Sequence, residues 1–318
     1  MKALIFPNSS ESSAYAKRYG YHDWIISRFL QFIPDLGYLL EKLDEEPQKY
    51  IRVNTLKISI SELKASLQEK GFELADTLLP EVFAIKKATF PIGATIEYLL
   101  GYYYIQDISS CFAVEALDLK ENHSVLDMAA SPGGKTTLIA QKMKNTGCVV
   151  ALESSFKRIR SISFNLARCG ITNACVYNMD GQHAVELNMK FDRVLLDAPC
   201  SCEGVIGKDK TRKTSHRPED IEFCGTNQLR LIESALHVVK HDGLLIYSTC
   251  SFAPEENELI VNSMLEKFDV EIEPLQYGSE GLIKFGQFRF HPSLRNSRRL
   301  YPHIHNTTGF YIAKLRVR

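Results

Sequence analysis

The chain has 318 residues, of which 45% are hydrophobic and 24% charged, and its 38 Lys and Arg balance 38 Asp and Glu to a net charge of zero. That length is enough for two packed domains, and the composition excludes a disordered or fibrous protein. No apolar run approaches the ~18 residues of a membrane helix, and Ala3 to Phe6 before Pro7 is too short for a signal-peptide core, so a cytoplasmic protein with no membrane partner is expected.

Taken in chain order, Trp24, Ile25, Phe29, Phe32, Ile33, Leu36, Leu39, Leu40 and Leu43 recur at helical spacing around a break at Pro34. Residues 51–56 have a strand pattern. Ser59 with Glu62 makes a capping box for a helix ending near Gly71. Short strands are predicted at residues 82–85 and 102–106. Residues 1–105 therefore read as a small α+β domain, and no Gly-, Ser- or Pro-rich linker follows it.

From Ser124 the pattern alternates. Strands are predicted at residues 125–128, 149–152, 175–178, 194–196, 244–247 and 309–315. Helices are predicted at 136–144, 156–168, 220–240 with a break at Gly225, and 255–267. Strands that are apolar throughout and separated by helices indicate a mostly parallel sheet covered on both faces. Residues 106–318 thus read as an α/β domain, in which ligands bind beyond the carboxyl ends of the strands.

The eight cysteines stand at 111, 148, 169, 175, 200, 202, 224 and 250 with no C-x-x-C pair. Neither a zinc ribbon nor a redox motif is indicated, and most of the cysteines are expected to be core residues. Two stretches are locally basic: Lys208, Lys210, Arg212, Lys213 and Arg217, then Lys284, Arg289, Arg295, Arg298 and Arg299 interleaved with Phe285, Phe288 and Phe290. Such groups can neutralise phosphates and stack on unpaired bases, or they are two solvated loops with a few buried rings.

Asp127 to Thr136 reads D-M-A-A-S-P-G-G-K-T. Its small residues and glycines let a backbone approach a ligand, and the helix beyond offers free amides. Gly134-Lys135-Thr136 fit the end of a phosphate-binding loop, but the first glycine of that motif would fall on Ala129. A nucleotide hydrolase using Lys135 and Asp197 is therefore one reading. Glu153, at the end of the next strand, is placed to accept ribose hydroxyls. Asp180 is placed to reach an adenine amino group, or is a turn residue before Gly181. Cys200, three residues after Asp197, and Cys250 both follow strands, so the two are expected to face one crevice.

Six segments in unbroken order resemble the Nop/Sun (RsmB-like) family of RNA cytosine-5 methyltransferases. They are Arg52-Val53-Asn54-Thr55, Gln106-Asp107 with Ser109-Ser110, Asp127 to Thr136, Asp197-Ala198-Pro199-Cys200-Ser201, Ser248-Thr249-Cys250-Ser251, and Arg299 to His303 running on to Thr308-Gly309-Phe310. Ala129 stands where that family usually has Cys and Ser131 where it has Ala, both still small.

The resemblance implies a Rossmann-like class I methyltransferase domain preceded by an RNA-recognition-like domain. It implies S-adenosylmethionine as cofactor, contacted at Ala129, Ala130, Ser131, Pro132, Gly133, Gly134, Lys135, Glu153, Arg158, Asp180 and Asp197. It further implies that the Cys250 thiolate adds to carbon 6 of cytosine to activate carbon 5, that Asp197 hydrogen-bonds the ring, and that Cys200 assists release. The expected partner is RNA, with tRNA favoured over rRNA; a monomer with no metal is the default. A non-catalytic RNA-binding assembly factor is the alternative from a different class.

Overall fold

The structure, a computed structural model, describes residues 2–318. Three helices come first: α1 (Ser10–Tyr19), α2 (Asp23–Phe29) and α3 (Leu36–Asp44). Then follow β1 (Tyr50–Val53), α4 (Ile60–Glu69), β2 (Glu73–Asp76), β3 (Val82–Lys87), α5 (Ile96–Leu99), β4 (Tyr103–Ile105) and α6 (Ile108–Glu115). The alternating part runs β5 (Ser124–Asp127), α7 (Gly134–Lys142), β6 (Cys148–Leu152), α8 (Phe156–Cys169), β7 (Ala174–Tyr177) and β8 (Phe191–Asp197). It continues with α9 (Arg212–Ser215), α10 (Pro218–Val238), β9 (Val239–Thr249), α11 (Glu258–Lys267) and β10 (Val270–Glu273). Short strands β11 (Ser279–Glu280), β12 (Lys284–Phe285), β13 (Phe288–Arg289) and β14 (Arg298–Leu300) precede α12 (Pro302–His305) and β15 (Phe310–Val317).

By compactness the chain falls into two interleaved units, a grouping distinct from the chain-order division at residue 105. One holds residues up to Pro47, 198–233 and 247–318; the other holds 48–197 and 234–246. In the second unit, β2-β3-β1-β4 form an antiparallel sheet. Its α4 starts as the sequence predicts: Ser59 Oγ accepts from Glu62 N, and Glu62 returns the bond to Ser59 N. Ile51, Val53, Leu63, Leu67, Phe72 and Tyr103 make its core. The same unit carries the parallel run β8-β5-β6-β7. The chain leaves β5 outward through β6 and β7, then returns to β8 on the other side, so the order reverses between β5 and β8.

In the first unit α2 and α3, on either side of Pro34, bury Ile25, Ile26, Phe29, Leu36, Leu39 and Leu40 with Phe252 and Tyr301. Two buried bidentate pairs brace it: Arg28 with Glu255 and Arg299 with Glu258. β15 pairs antiparallel with β14 and β10. The α/β class is as the sequence indicates.

Two expectations need correction. α10 runs unbroken through Gly225, because one glycine costs only ~1 kcal/mol in a long helix. Of the eight cysteines only Cys111 and Cys169 are buried; Cys148 is exposed and the other five are half-buried. α1 escaped the periodicity reading because its signal is polar: Ser9 Oγ accepts from Ser12 N and Ser12 Oγ from Ser9 N.

Candidate active site

The strand-order reversal brings Asp127 and Asp197, the last residues of adjacent strands β5 and β8, to one edge of the sheet. Asp127 is buried and accepts Thr136 Oγ1 at 2.7 Å, which pins the first turn of α7 to β5. Burial pushes this carboxyl up to about 6 against the pull of Thr136 and Lys135, and its Oδ1 has no hydrogen-bond partner among the described residues. Between strand and helix, Gly133 sits at φ +100°, a conformation that excludes other residues without strain. A Cβ on Gly134 would come within 3.2 Å of Tyr104 Cε1 and 3.3 Å of Gln106 Nε2.

A cavity of about 160 Å³ opens over this turn. Of the residues named from sequence, Ala129, Ala130, Ser131, Pro132, Gly134, Lys135 and Asp197 line it, and Lys135 Nζ donates to Asp197 Oδ2 at 2.5 Å. Tyr104, Ile105, Gln106 and Ser110 complete the lining. Gly133 shapes the turn without lining the cavity. Glu153, Arg158 and Asp180 also lie outside its lining. Glu153 is buried just beyond β6, accepting Ser155 N at 2.8 Å with Arg158 Nη1 3.6 Å away. Asp180 is exposed and accepts Gln182 N at 2.9 Å, capping the turn at Gly181.

The Arg52-Val53-Asn54 segment has a part that spacing alone does not reveal. Arg52, buried on β1, donates to Gly134 O (2.8 Å), Thr137 Oγ1 (2.9 Å) and Gln106 Oε1 (2.5 Å). It holds the glycine turn from behind, and burial pulls its guanidinium below the ordinary arginine range. Asn54 Nδ2 bridges Gly101 O and Cys169 O, both at 2.8 Å.

In the other unit, two segments carry the paired cysteines. Ala198 N donates to Ser248 O and Gly204 N to Cys250 O, each at 2.8 Å, so the segments run side by side. A Cβ on Gly204 would lie 2.2 Å from Gly309 O, so this approach requires glycine. Fully buried Glu256 staples the two: Oε2 accepts Ser201 N (2.9 Å) and Gln228 Nε2 (3.0 Å), while Oε1 accepts Ser251 Oγ (2.8 Å) and Ser201 Oγ. Burial pushes this carboxyl up to about 7, with Ser201 pulling it back. Tyr247 OH donates to Glu256 O at 2.6 Å, fixing the helix entrance.

The staple sets Cys200 Sγ 3.2 Å from Cys250 Sγ, so the two thiols named from sequence do meet. A third, Cys202, joins them with its Sγ 3.9 Å from that of Cys200. Hydrogen bonds from Cys200 and Cys250 hold Cys202 well below the ordinary thiol range, Arg212 and His216 helping against burial. Cys200, sharing its proton with Cys202 and Cys250, is raised. The sequence signal for Cys202 is its place one residue beyond Ser201, in a C-x-C spacing with Cys200 rather than a C-x-x-C pair.

The basic stretches divide. Arg299 is bound to Glu258 inside the core, and Phe285 and Phe290 are buried, so these three are structural. Arg212 donates to Ser201 O, Lys213 to Tyr19 O and Asp44, and Lys210 to Leu43 O. Lys208, Arg217, Lys284, Arg289 and Arg295 are exposed.

The family described as 16S rRNA methyltransferase RsmB/F matches residues 114–316, and the ferredoxin-like domain of RsmF/B-like methyltransferases matches residues 21–91. The chain is 41% identical over 311 residues to the 26S rRNA (cytosine-C(5))-methyltransferase nsun-1 of Caenorhabditis elegans, covering 94% of this chain and 47% of that protein. It is 39% identical over 273 residues to the tRNA (cytosine(49)-C(5))-methyltransferase of Pyrococcus abyssi, covering 84% of this chain and 87% of that one. A solved methyltransferase homolog from Pyrococcus horikoshii superposes with TM-score 0.90 at 39% identity, over 98% of this chain and 100% of that chain. The chain spans less than half the length of the first curated relatives it matches.

Proposed function

The chain belongs to the RsmB/F methyltransferase family, and from that premise we propose that it methylates carbon 5 of cytosine in RNA. The observation that carries the reading is the Cys200–Cys250 thiol pair at 3.2 Å on two loops stapled by Glu256. A nucleotide hydrolase built on Lys135 and Asp197 has no use for that pair.

The cavity residues fit S-adenosylmethionine. Small side chains, the amide-rich start of α7 and the Lys135–Asp197 pair suit a ligand end that carries both a carboxylate and an ammonium group. The unpartnered Oδ1 of Asp127 is one more acceptor behind the turn. Ala129 to Lys135 would hold the methionine end, and Glu153, Arg158 and Asp180 the nucleoside end. When bound, the cofactor supplies an electrophilic methyl group.

The chain's own residues do the rest. The Cys250 thiolate adds to carbon 6 of the flipped base, which makes carbon 5 nucleophilic. Asp197 hydrogen-bonds the ring edge and steadies the charge that develops there. After transfer the carbon 5 proton leaves with help from Cys200, and Cys250 is expelled. Cys250→Ala is expected to abolish methylation, and Cys200→Ala to accumulate a covalent protein–RNA adduct on denaturing gels. An adduct in the Cys250 variant would reverse the two roles. Absence of methyl transfer to any RNA would refute the reading altogether.

On substrate, the sequence leaned toward tRNA. The relatives that match over 94% of the chain are named for rRNA, and they support rRNA as the target. Bisulfite sequencing of both RNAs from cells lacking the protein tests this; loss of methylation confined to tRNA would overturn it.

A further inference from the structure

We propose that Cys200, Cys202 and Cys250 form a binding site for a thiophilic cation such as zinc(II), and that its occupancy switches methyl transfer off. The three Sγ atoms all lie within 4.8 Å of one another, two of the separations being 3.2 and 3.9 Å. Zinc–thiolate bonds of ~2.3 Å at tetrahedral angles put sulfurs ~3.8 Å apart. The two separations of 3.2 and 3.9 Å bracket that spacing.

The site is also built in advance. Cys200 and Cys250 sit on backbone fixed by Glu256 and by the Gly204–Cys250 hydrogen bond. Cys202 stands at φ +63°, a conformation that favours glycine, and its Sγ turns back to within 3.2 Å of Cys200 O. A side chain kept at a position where glycine would be easier invites a functional reason. Here the reason is a third sulfur. Three thiolates and one zinc leave a single negative charge on the site.

Three protein ligands leave the fourth zinc position open. On binding, each thiol that still carries a proton releases it to solvent, and nothing is oxidised or reduced. The inhibitory consequence rests on the function proposed above, because the bound cation occupies the nucleophile and its partner together. The metal site itself does not.

The experiment uses the intact chain, reduced without thiols. It is titrated with zinc(II) against a chromophoric chelator, and with cobalt(II) while the sulfur-to-metal charge-transfer band is followed. One metal per chain is expected, with zinc inhibiting methyl transfer at the same stoichiometry. Cys202→Gly relieves the backbone and is expected to fold. It should lose more metal affinity than the roughly 10- to 100-fold that loss of an outer-shell partner costs. Equal affinity in Cys202→Gly would overturn the proposal, since the metal would then sit elsewhere. So would the absence of a charge-transfer band in the unsubstituted chain, or uptake of no metal together with a Cys200–Cys250 disulfide. A chain that shows the band but methylates no RNA keeps the metal site and refutes only the function.

Discussion

Replacing Asp127 with asparagine tests how the glycine turn is held, because this carboxyl is buried at the end of β5 with one oxygen unpartnered. In the folded chain burial moves it from an ordinary 3.8 to about 6. The folded state therefore binds this proton more tightly than the unfolded chain does. Between pH ~4 and ~6 the unfolded state carries fewer protons, so stability falls as pH rises through that window and is flat on either side. At ~1.4 kcal/mol per pH unit the group contributes a loss of ~3 kcal/mol across it. The side-chain amide of the Asp127→Asn variant cannot titrate. Any change in hydrogen bonding to Thr136 is independent of pH, so it offsets the comparison without tilting it. Urea denaturation of both proteins from pH 4 to 7, without cofactor, should give a stability difference that moves by ~2.4 kcal/mol in favour of the variant. Two curves that stay parallel would refute the argument, and with it the claim that desolvation governs this carboxyl.

Glu256→Ala strands the Ser201, Ser251 and Gln228 donors in the core; at ~1–3 kcal/mol for a buried donor left unmet, a loss of at least ~2 kcal/mol is expected in chemical denaturation. Glu256→Gln should keep more of the fold yet lower kcat with KM little changed, since it loosens both cysteine loops. Arg52→Met removes the guanidinium behind Gly134 and should weaken S-adenosylmethionine by about 10-fold in calorimetry, as one or two lost hydrogen bonds would. RNA affinity should stay the same. Lys284 and Arg289 face each other across the β12–β13 hairpin, an unfavourable pairing unless an anion lies over it. Changing both to Glu should weaken RNA binding and lower the salt slope in anisotropy titrations by roughly 1–2; an unchanged slope would remove the hairpin from the RNA surface.

Local chemistry was legible, while long-range chemistry was not. The Ser59–Glu62 box is four residues of self-contained hydrogen bonding, and the helix it opens is where the sequence puts it. The glycine turn follows equally from Gly133, Gly134 and the strand before them. Arg299 instead read as a surface cation because its partner Glu258 lies 41 residues away. Cys202 was one thiol among eight until the fold brought Cys250 to it. Gly225 reads as a break in the helix at 220–240, but its cost of ~1 kcal/mol is absorbed by a continuous 21-residue helix. Family resemblance, unlike periodicity, singled out Arg52 and Asn54, but not what either one does.

The reach of Arg52 also bears on how such a chain can be taken apart. Its strand lies before residue 105, yet the carbonyl it grips belongs to the turn after β5. A chain shortened to begin at residue 106 would keep every motif of the turn and lose the hand that steadies it. Exchanging the first sheet for one from a relative would exchange the support of that turn as well. What looks in one dimension like an accessory segment is, in three, part of what holds the glycine turn.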